Sequence, residues 1–432
     1  MYSYPIMFMS LKDRLKFEIK SQHREFVEEF VKDVLGLFVG SVLDGKPRID
    51  AHQKNTHEVR NGIQQLASKY ADKIPAILGI PAYFKKLEEN ESFLFLPGND
   101  LCNQDTLDFH TFLKADKEGR SFEEMDKEIK GLFGEFRERY QITVLGAIRV
   151  TIGEWDRNKR ICRFCNNTRA EISFELDAHA ISEGLGNKTL YLYDECDECN
   201  IQFGKTIEQD IVTYLSLFRT IFKVKGKNKG KGKGGNKKVL GKNFNLEHGE
   251  KINLTFHTIE DRPEPFKMPY NLHLDTGETI TLQKIYKALC KYFLSVIPAE
   301  YLSAFERTID WINGKIDIDT LPKIGELISY HAFSIQPRIV TYIRKDNDST
   351  IPFAVGEFYF TCRLFVFIIP LSQNDDRDFT DPIDFKKYWQ TFKHYNEASG
   401  WNFRDYSRNT PLPFSITLNM QKEDEIFAET NP

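Results

Sequence analysis

Two pairs of cysteines constrain this chain more than any other feature. Cys162 and Cys165 form one C-x₂-C pair, and Cys196 and Cys199 form a second pair after 30 intervening residues. Each short C-x₂-C turn directs two thiolates to one point, and two such turns complete the tetrahedral S₄ shell of a structural Zn²⁺. We therefore expect a structural zinc site. A plain zinc ribbon without catalysis and four unconnected free thiols are the alternatives.

The size and composition of the chain restrict its class. At 432 residues it exceeds the length at which one hydrophobic core usually stops growing, so two or three domains are expected. Seven cysteines are too few for a disulfide scaffold of this length. The longest apolar stretch, 364–371, is far shorter than the roughly 20 residues of a membrane-spanning helix. The N-terminus also lacks the basic segment of a secretory signal, so we expect a cytoplasmic protein with no membrane contact.

Hydrophobic periodicity predicts an α+β protein whose first part, residues 1–150, is a mainly helical domain. Apolar residues recur at helical spacing from Leu11 to Leu37, with Ser10 as the expected N-cap, and again over 56–70 and 122–140. This domain would suit regulation or oligomerisation.

A C-terminal α+β domain is predicted over residues 244–432, where it would suit a sensor or a partner-binding surface. Strands are expected at 244–256 and 338–343, a helix at 282–311, and a buried strand pair at 353–371.

The segment between these domains, residues 151–222, is predicted to be a small module built around the cysteines. A strand is expected from Gln141 to Ile152 and a second from Ala170 to Leu176. One amphipathic helix is expected from about Asp197 to Phe218.

Three short motifs lie between the cysteine pairs or directly after them. They are Asp177-Ala178-His179-Ala180-Ile181, Gly184-Leu185-Gly186-Asn187 and Cys199-Asn200. In order and spacing, C-x₂-C, A-H-x-I, a Gly-rich turn and C-x₂-C-N, this stretch of about fifty residues resembles the HNH (ββα-metal) endonuclease family. The similarity is to the subgroup that carries a four-cysteine structural zinc and occurs in bacterial restriction and anti-phage defence. The resemblance implies a central ββα-metal module that a structural zinc holds together.

The resemblance implies a role for three residues. His179 would be the general base that takes a proton from the attacking water, which suits a neutral imidazole near pH 7. Asn200 would bind a catalytic Mg²⁺ or Mn²⁺ through its amide oxygen, although Asn is also favoured as a helix N-cap. Asn187 occupies the position that the family uses to fix the loop that aims the histidine, a structural role.

The sequence departs from the family pattern immediately before the histidine. Many members of the family carry an acidic second metal ligand there, whereas this chain has Ala178. Asp177 is the tentative substitute, because alternate residues of a strand share one face and Asp177 therefore shares a face with His179. Further candidates for the second carboxylate are Glu175, Glu183 and Glu208.

Residues 223–243 form a basic linker or loop rich in Gly, Lys and Asn, with too few apolar side chains to build a core. Ten basic residues and no acidic one lie between Asp210 and Glu247. A flexible polycation could bind DNA phosphates without reading sequence, and a solvated linker is the equal alternative. The lysines concerned are Lys223, Lys225, Lys227, Lys229, Lys231 and Lys233.

The leading hypothesis is a metal-dependent HNH endonuclease that hydrolyses DNA, preferably double-stranded, with little sequence specificity. Its partners would include DNA, an activator or sensor protein encoded nearby, and further copies of the chain. A catalytically inactive zinc-stapled DNA-binding or scaffolding protein is the alternative, and a nuclease that acts on RNA is a third hypothesis.

Overall fold

The computed structural model describes residues 2–11, 14–43, 46–98, 103–133, 136–146, 149–226, 238–257, 270–329, 333–392 and 399–420. Within these ranges the chain is mixed α+β, as predicted. It divides into two compact units, Met1–Arg137 and Glu138–Pro432. The expected boundaries at 150, 222 and 243 do not coincide with this division. Of the helices described, none combines the length and apolar character needed to cross a membrane.

The first unit contains a four-stranded antiparallel sheet, a β-hairpin and several helices. Its elements are β1 (Tyr2–Met9), β2 (Arg14–Ser21), α1 (Arg24–Gly36), β3 (Val39–Leu43), β4 (Lys46–Ile49), β5 (His52–Lys54), α2 (His57–Tyr70), α3 (Gly79–Phe84), β6 (Ser92–Pro97), α4 (Asn103–Glu118) and α5 (Phe122–Phe133). The sheet has the order β2-β1-β6-β5, and β3 pairs with β4. The apolar faces of α1, α2 and α3 pack in one core with residues of β1, β2 and β6.

The expectation of a mainly helical first domain is wrong at its start. The helix predicted from Leu11 is strand β2, and Ser10 is a buried residue that follows β1 rather than an N-cap. Phe17 and Ile19 are buried while their immediate neighbours are exposed, which is the period-2 alternation of a half-buried strand. The strand therefore follows the alternation of Leu15, Phe17 and Ile19 with charged residues, and it pairs with β1 along its whole length. The helix predicted at 56–70 is confirmed as α2, which Thr56 caps.

The second unit contains a six-stranded antiparallel sheet and smaller strand groups. Helix α6 (Phe136–Arg139) lies at the boundary and is followed by β7 (Tyr140–Leu145), β8 (Val150–Ile152), β9 (Leu190–Leu192), α7 (Asp197–Lys205), α8 (Ile207–Tyr214), α9 (Ser216–Ile221), β10 (Lys238–Leu240), β11 (Phe244–His248), β12 (Ile252–Phe256), β13 (Tyr270–Ile280), α10 (Leu282–Val296), α11 (Glu306–Ile312), β14 (Ile324–Ile328), β15 (Ser334–Arg344), β16 (Ala354–Thr361), β17 (Arg363–Ile368), α12 (Pro382–Thr391), β18 (Asn402–Arg404) and β19 (Leu412–Met420). The large sheet has the order β18-β14-β17-β16-β15-β7. The smaller groups are β10-β11-β12, β13-β19 and the parallel pair β8-β9.

Helix α10 is the centre of the second unit. Every residue of this helix except Lys284 is buried. It packs against α8 on the cysteine side and against β15 and β16 of the large sheet. Residues of the cysteine segment and of the C-terminal region consequently share one hydrophobic core, so 151–222 does not form a core of its own.

Two expectations about secondary structure in the cysteine segment are wrong. Residues 170–176 are not a strand, since the backbone N–H groups of Glu175 and Leu176 donate to the carboxylate of Asp197 instead of to a neighbouring strand. The single helix expected over 197–218 is three helices, and its first break lies at Thr206, where φ is −115° and ψ is −91°.

Other predicted elements agree more closely with the structure. Strands at 244–256 are confirmed as β11 and β12, and the strand pair at 353–371 is confirmed as β16 and β17. The strand expected over 141–152 is divided into β7, which joins the large sheet, and β8. The helix expected over 282–311 stops before Pro298, a residue that cannot donate a helical hydrogen bond.

Candidate metal centre and the adjoining cavity

The four cysteines form one cluster that could bind zinc. Their Sγ atoms all lie within 4.8 Å of one another, and the Sγ atoms of Cys165 and Cys196 are 3.8 Å apart. A Zn–S bond of about 2.3 Å places tetrahedral thiolates roughly 3.8 Å apart, so the spacing fits. Cys162, Cys196 and Cys199 are buried, and Cys165 is half-buried. This grouping agrees with the prediction from the C-x₂-C spacing.

The charge on the cluster also favours a bound dication. Hydrogen bonds from Cys196 and Cys199 lower the pKa of the Cys162 thiol, and the same contacts raise the pKa of Cys196 and Cys199. The first thiolate thus opposes ionisation of its neighbours. A bound cation would remove this opposition, because thiolate ligands must all be deprotonated and the metal charge dominates such a site.

Local backbone structure shapes both cysteine turns. In the first turn the N–H of Asn166 donates to the carbonyl of Cys162 over 2.8 Å, and Asn166 has a φ of +60°, a conformation that Asn tolerates better than most residues. In the second, Cys196 is the N-cap of α7, and its Sγ accepts the N–H of Cys199 over 3.4 Å. The N–H of Cys196 donates to the Sγ of Cys162, also over 3.4 Å, and so joins the two turns.

Arg163, between the first two cysteines, connects the cluster to α10. Its side chain is 2% exposed, and it donates to the carbonyl of Leu294 over 2.7 Å and to the carboxylate of Asp194 over 3.2 Å. The carbonyls at the C-terminal end of a helix carry partial negative charge, so a cation is stabilising there. This contact was not predicted, because nothing in the neighbouring sequence distinguishes Arg163 from a solvated arginine.

A short antiparallel backbone pairing positions His179. The N–H of Ala180 donates to Leu190, and the N–H of Leu192 donates to Ala178, over 3.1 and 2.9 Å. The His179 ring packs on the Tyr191 ring with 4.7 Å between centroids. Ala178 is buried, whereas Asp177 and His179 both line one cavity.

The environment of His179 favours the neutral imidazole. Burial lowers its pKa and Lys291 lowers it further, while Glu183, Asp177 and Glu208 only partly oppose these effects. The ring Nδ1 is buried and has no hydrogen-bond partner among the described residues. A neutral ring near pH 7 can accept a proton.

Asn187 holds the loop that follows the histidine. It is fully buried, and its amide nitrogen donates to the carbonyls of Ile181 and Leu190 over 2.8 and 3.0 Å. Its amide oxygen accepts the N–H groups of Thr189 and Leu190 over 3.1 and 3.0 Å. The side chain therefore contacts backbone on both sides of the loop and does not line the cavity.

A cavity of ≈ 640 Å³ brings three of the four residues predicted for the catalytic chemistry together. Asp177, His179 and Asn200 all line it, as do Glu183 and Glu208. Asn200 is not a helix cap, since it lies inside α7 and its N–H donates to the Cys196 carbonyl. Its side chain forms no hydrogen bond with another residue in the described ranges.

The candidates for the second carboxylate separate into two groups. Glu175 lies away from the cavity and pairs with Arg157 and Arg169 over 2.8 and 2.6 Å. Asp177 and Glu183 remain in the cavity with Asn200, an oxygen-rich set that suits Mg²⁺. Among the described residues, however, only the four cysteines bring three or more His, Cys, Asp or Glu ligand atoms into metal-binding proximity.

Lys291 of α10 forms a buried ionic group beneath the cavity. Its Nζ lies 3.0 Å from Glu195 and 3.2 Å from Glu208, and it donates to the backbone carbonyl of His179 over 3.0 Å. Burial raises the pKa of Glu195 to about 7. Burial opposes the charge on Lys291, but the two carboxylates outweigh it and raise the lysine pKa. The only signal of this group in the sequence is a lysine inside a helix whose pattern is otherwise largely apolar.

The structure describes the basic tract at its two ends, 223–226 and 238–243, and the second end contains strand β10. Lys223 donates to the carbonyl of Gly249 over 2.7 Å, and Lys225 is exposed. The other four lysines predicted to bind DNA, Lys227, Lys229, Lys231 and Lys233, lie outside the described residues.

Comparison with known proteins identifies no match: no family model, no curated protein and no solved structure matches this chain.

Proposed function

We propose that the cysteine segment is the catalytic part of a metal-dependent HNH endonuclease that hydrolyses DNA phosphodiester bonds with little sequence specificity. The observation that carries the proposal is the cavity next to the four-cysteine cluster, which gathers Asp177, His179 and Asn200. His179 and Asn200 belong to the A-H-x-I and C-x₂-C-N motifs, and Asp177 directly precedes the first of these. An effector role in bacterial anti-phage defence is part of the same proposal and rests on the family resemblance.

His179 would act as the general base. Its lowered pKa keeps the ring able to accept the proton of a water that attacks the phosphorus. The packed Tyr191 ring and the pairing of Ala178 with Leu192 restrict the position of the imidazole. Positioning of this kind is what makes a proton transfer efficient.

Asn200 and Asp177 would hold the catalytic Mg²⁺ or Mn²⁺. When bound, the cation would stabilise the charge that develops on the phosphate and the leaving oxygen. The carboxylates of Asp177 and Glu183 would otherwise repel a phosphodiester from this cavity. The four cysteines would hold a separate structural zinc, away from the chemistry.

A plasmid-nicking assay with Mg²⁺ or Mn²⁺ tests the enzymatic function. We expect His179→Ala to lower the cleavage rate by about 10²- to 10⁴-fold, the range that a general base contributes. His273→Ala is the matched control, because His273 is exposed and lies on β13 away from the cavity. Equal cleavage by wild type and His179→Ala would remove His179 from the mechanism. If neither protein cleaves duplex DNA or RNA, even with candidate activators present, the result would contradict the proposed enzymatic function.

The alternative function is an inactive, zinc-stapled DNA-binding or scaffolding protein. The observation that favours it is that no carboxylate-rich metal cluster lies in the described part of the cavity. In that case wild type would bind duplex DNA but cleave no substrate, and His179→Ala would leave DNA affinity unchanged.

The basic tract gives a prediction about DNA affinity. We expect replacement of its six lysines with Ser to weaken duplex binding and to flatten the salt dependence by about 0.9 in log–log slope for each phosphate that is no longer neutralised. Binding should be measured at several salt concentrations. The control replaces six exposed lysines of the first unit, and it should leave the slope unchanged: Lys16, Lys20, Lys32, Lys85, Lys86 and Lys127. A tract variant with the wild-type slope would identify the tract as a linker.

A further inference from the structure

A second cavity, formed mainly by α12, β18 and the residues around them, is lined by aromatic side chains. Its volume is ≈ 340 Å³, within the range of small-molecule sites, and its walls include Phe385, Trp389 and Phe403. None of the residues of the His179 cavity contributes to it. The two cavities therefore require separate explanations.

The aromatic rings are arranged to receive a flat ligand. Phe385 and Trp389 are within 10° of parallel with centroids 6.4 Å apart. The Phe403 ring stands at 83° to Phe385 and at 90° to Trp389, with centroids 5.7 and 4.8 Å away. A planar ring can pack its face on the parallel pair and its edge against Phe403, a geometry that aromatic groups favour. An alkyl chain would gain apolar burial there but not the face and edge contacts that are available to a planar ring.

Packing against Gly325 and Trp401 fixes the position of Trp389. A Cβ added at Gly325 of β14 would lie 3.0 Å from the Trp389 ring, so the indole packs directly on the strand backbone. Trp401 also packs against Trp389, nearly perpendicular, with 4.8 Å between centroids. The aromatic wall is thus held in place before any ligand binds, which reduces the entropic cost of binding.

Charge at this cavity favours an anionic ligand. Lys323 and Lys386 both line it and are exposed, and neither forms an ion pair with another described residue. Gln390, also exposed at the cavity, can donate and accept hydrogen bonds through its amide. A lysine ammonium is a point charge suited to phosphate. Aromatic walls, a polar amide and two cations together match a ring, its polar edge and a phosphate.

We propose that this cavity binds a nucleoside phosphate, with the base against Phe385, Trp389 and Phe403 and the phosphate near Lys323 and Lys386. Base stacking on aromatic side chains tolerates every base, so the walls by themselves do not select one. The site is independent of the proposed nuclease activity, and it would give the second unit a small-molecule ligand.

Isothermal titration of the full-length protein with AMP and with UMP tests this proposal, with adenosine, inorganic phosphate and decanoate as comparison probes. We expect saturable binding of at least one nucleotide, and Lys386→Ser should weaken it about tenfold, the effect of one charge-assisted contact. Adenosine affinity should not change in this variant. Lys387→Ser is the matched control, because Lys387 is the next residue of α12, is exposed and does not line the cavity.

Three results would overturn the proposal. They are no nucleotide binding at millimolar concentration, tighter binding of decanoate than of either nucleotide, and equal weakening by Lys386→Ser and Lys387→Ser. Trp389→Leu adds a second measurement, which should weaken nucleotide and adenosine binding alike. Trp389 is mostly buried, so its replacement could disturb the fold. If the thermal unfolding of Trp389→Leu is not cooperative, the comparison of Lys386→Ser with Lys387→Ser alone tests the proposal.

Discussion

Cys196→Ser is expected to abolish zinc binding and to unfold the second unit of the chain. Cys196 is fully buried, caps α7 and contacts the thiols of both Cys162 and Cys165. Structural zinc contributes about 10–16 kcal/mol in zinc-finger peptides, which is as large as the whole stability of a typical domain. Because the cysteines lie in the same core as α10, the destabilisation should spread beyond residues 151–222.

Metal content and thermal unfolding measure this effect. Wild type should hold about one zinc per chain, the stoichiometry of a four-cysteine site, and Cys196→Ser should hold almost none. Cys362→Ala is the matched control, a buried cysteine outside the cluster, for which we expect one zinc and a destabilisation of about 1 kcal/mol. Wild-type stability in zinc-free protein would contradict a structural role for the metal.

Lys291→Met is expected to destabilise the second unit by about 3–5 kcal/mol, the usual result of removing one partner from a buried ion pair. The substitution leaves Glu195 and Glu208 without their cation and the His179 carbonyl without its donor. Methionine keeps most of the side-chain volume, so a cavity contributes little to the change in stability.

Urea unfolding measures the change in stability. Lys287→Met is the control on the same helix, one turn earlier, where the ammonium lies 5.2 Å from the Trp311 ring and forms no ion pair with a carboxylate of the described residues. Lys287→Met should lower the free energy of unfolding by about 1 kcal/mol. A double-mutant cycle with Glu208→Gln should reveal coupling of about 0.5–3 kcal/mol. Equal destabilisation by the two lysine variants would show that the ionic group has no special role.

The cysteine cluster and the helix at 57–70 were predictable because their signals are local. C-x₂-C spacing is sufficient to bring two thiolates together, and Thr56 followed by a periodic apolar pattern is sufficient to predict a helix start. The motif residues Asp177, His179 and Asn200 were placed near one another by resemblance, and they do line one cavity.

Long-range contacts determine the features that could not be predicted. Strand β2 is a separate case, because the alternation of Leu15, Phe17 and Ile19 with charged residues is a local strand signal that the helical interpretation passed over, and β1 pairs with β2 along its whole length. Residues 170–176 do not form a strand because the carboxylate of Asp197, which is distant in sequence, accepts their N–H groups. The partners of Arg163 and Lys291 on α10 and in the histidine loop lie more than one hundred residues away along the chain.

The contacts of Arg163 and Lys291 restrict where the chain can be divided into fragments that fold. Arg163 connects the cysteine cluster to the end of α10, and Lys291 connects the histidine loop to the middle of this helix. A fragment cut at 151 and 222 would leave Glu195 and Glu208 without their buried cation, and it would expose the face of α8 that packs on α10. The cysteine segment is therefore not an independently folding unit. A fusion of this segment to an unrelated domain would also have to include α10.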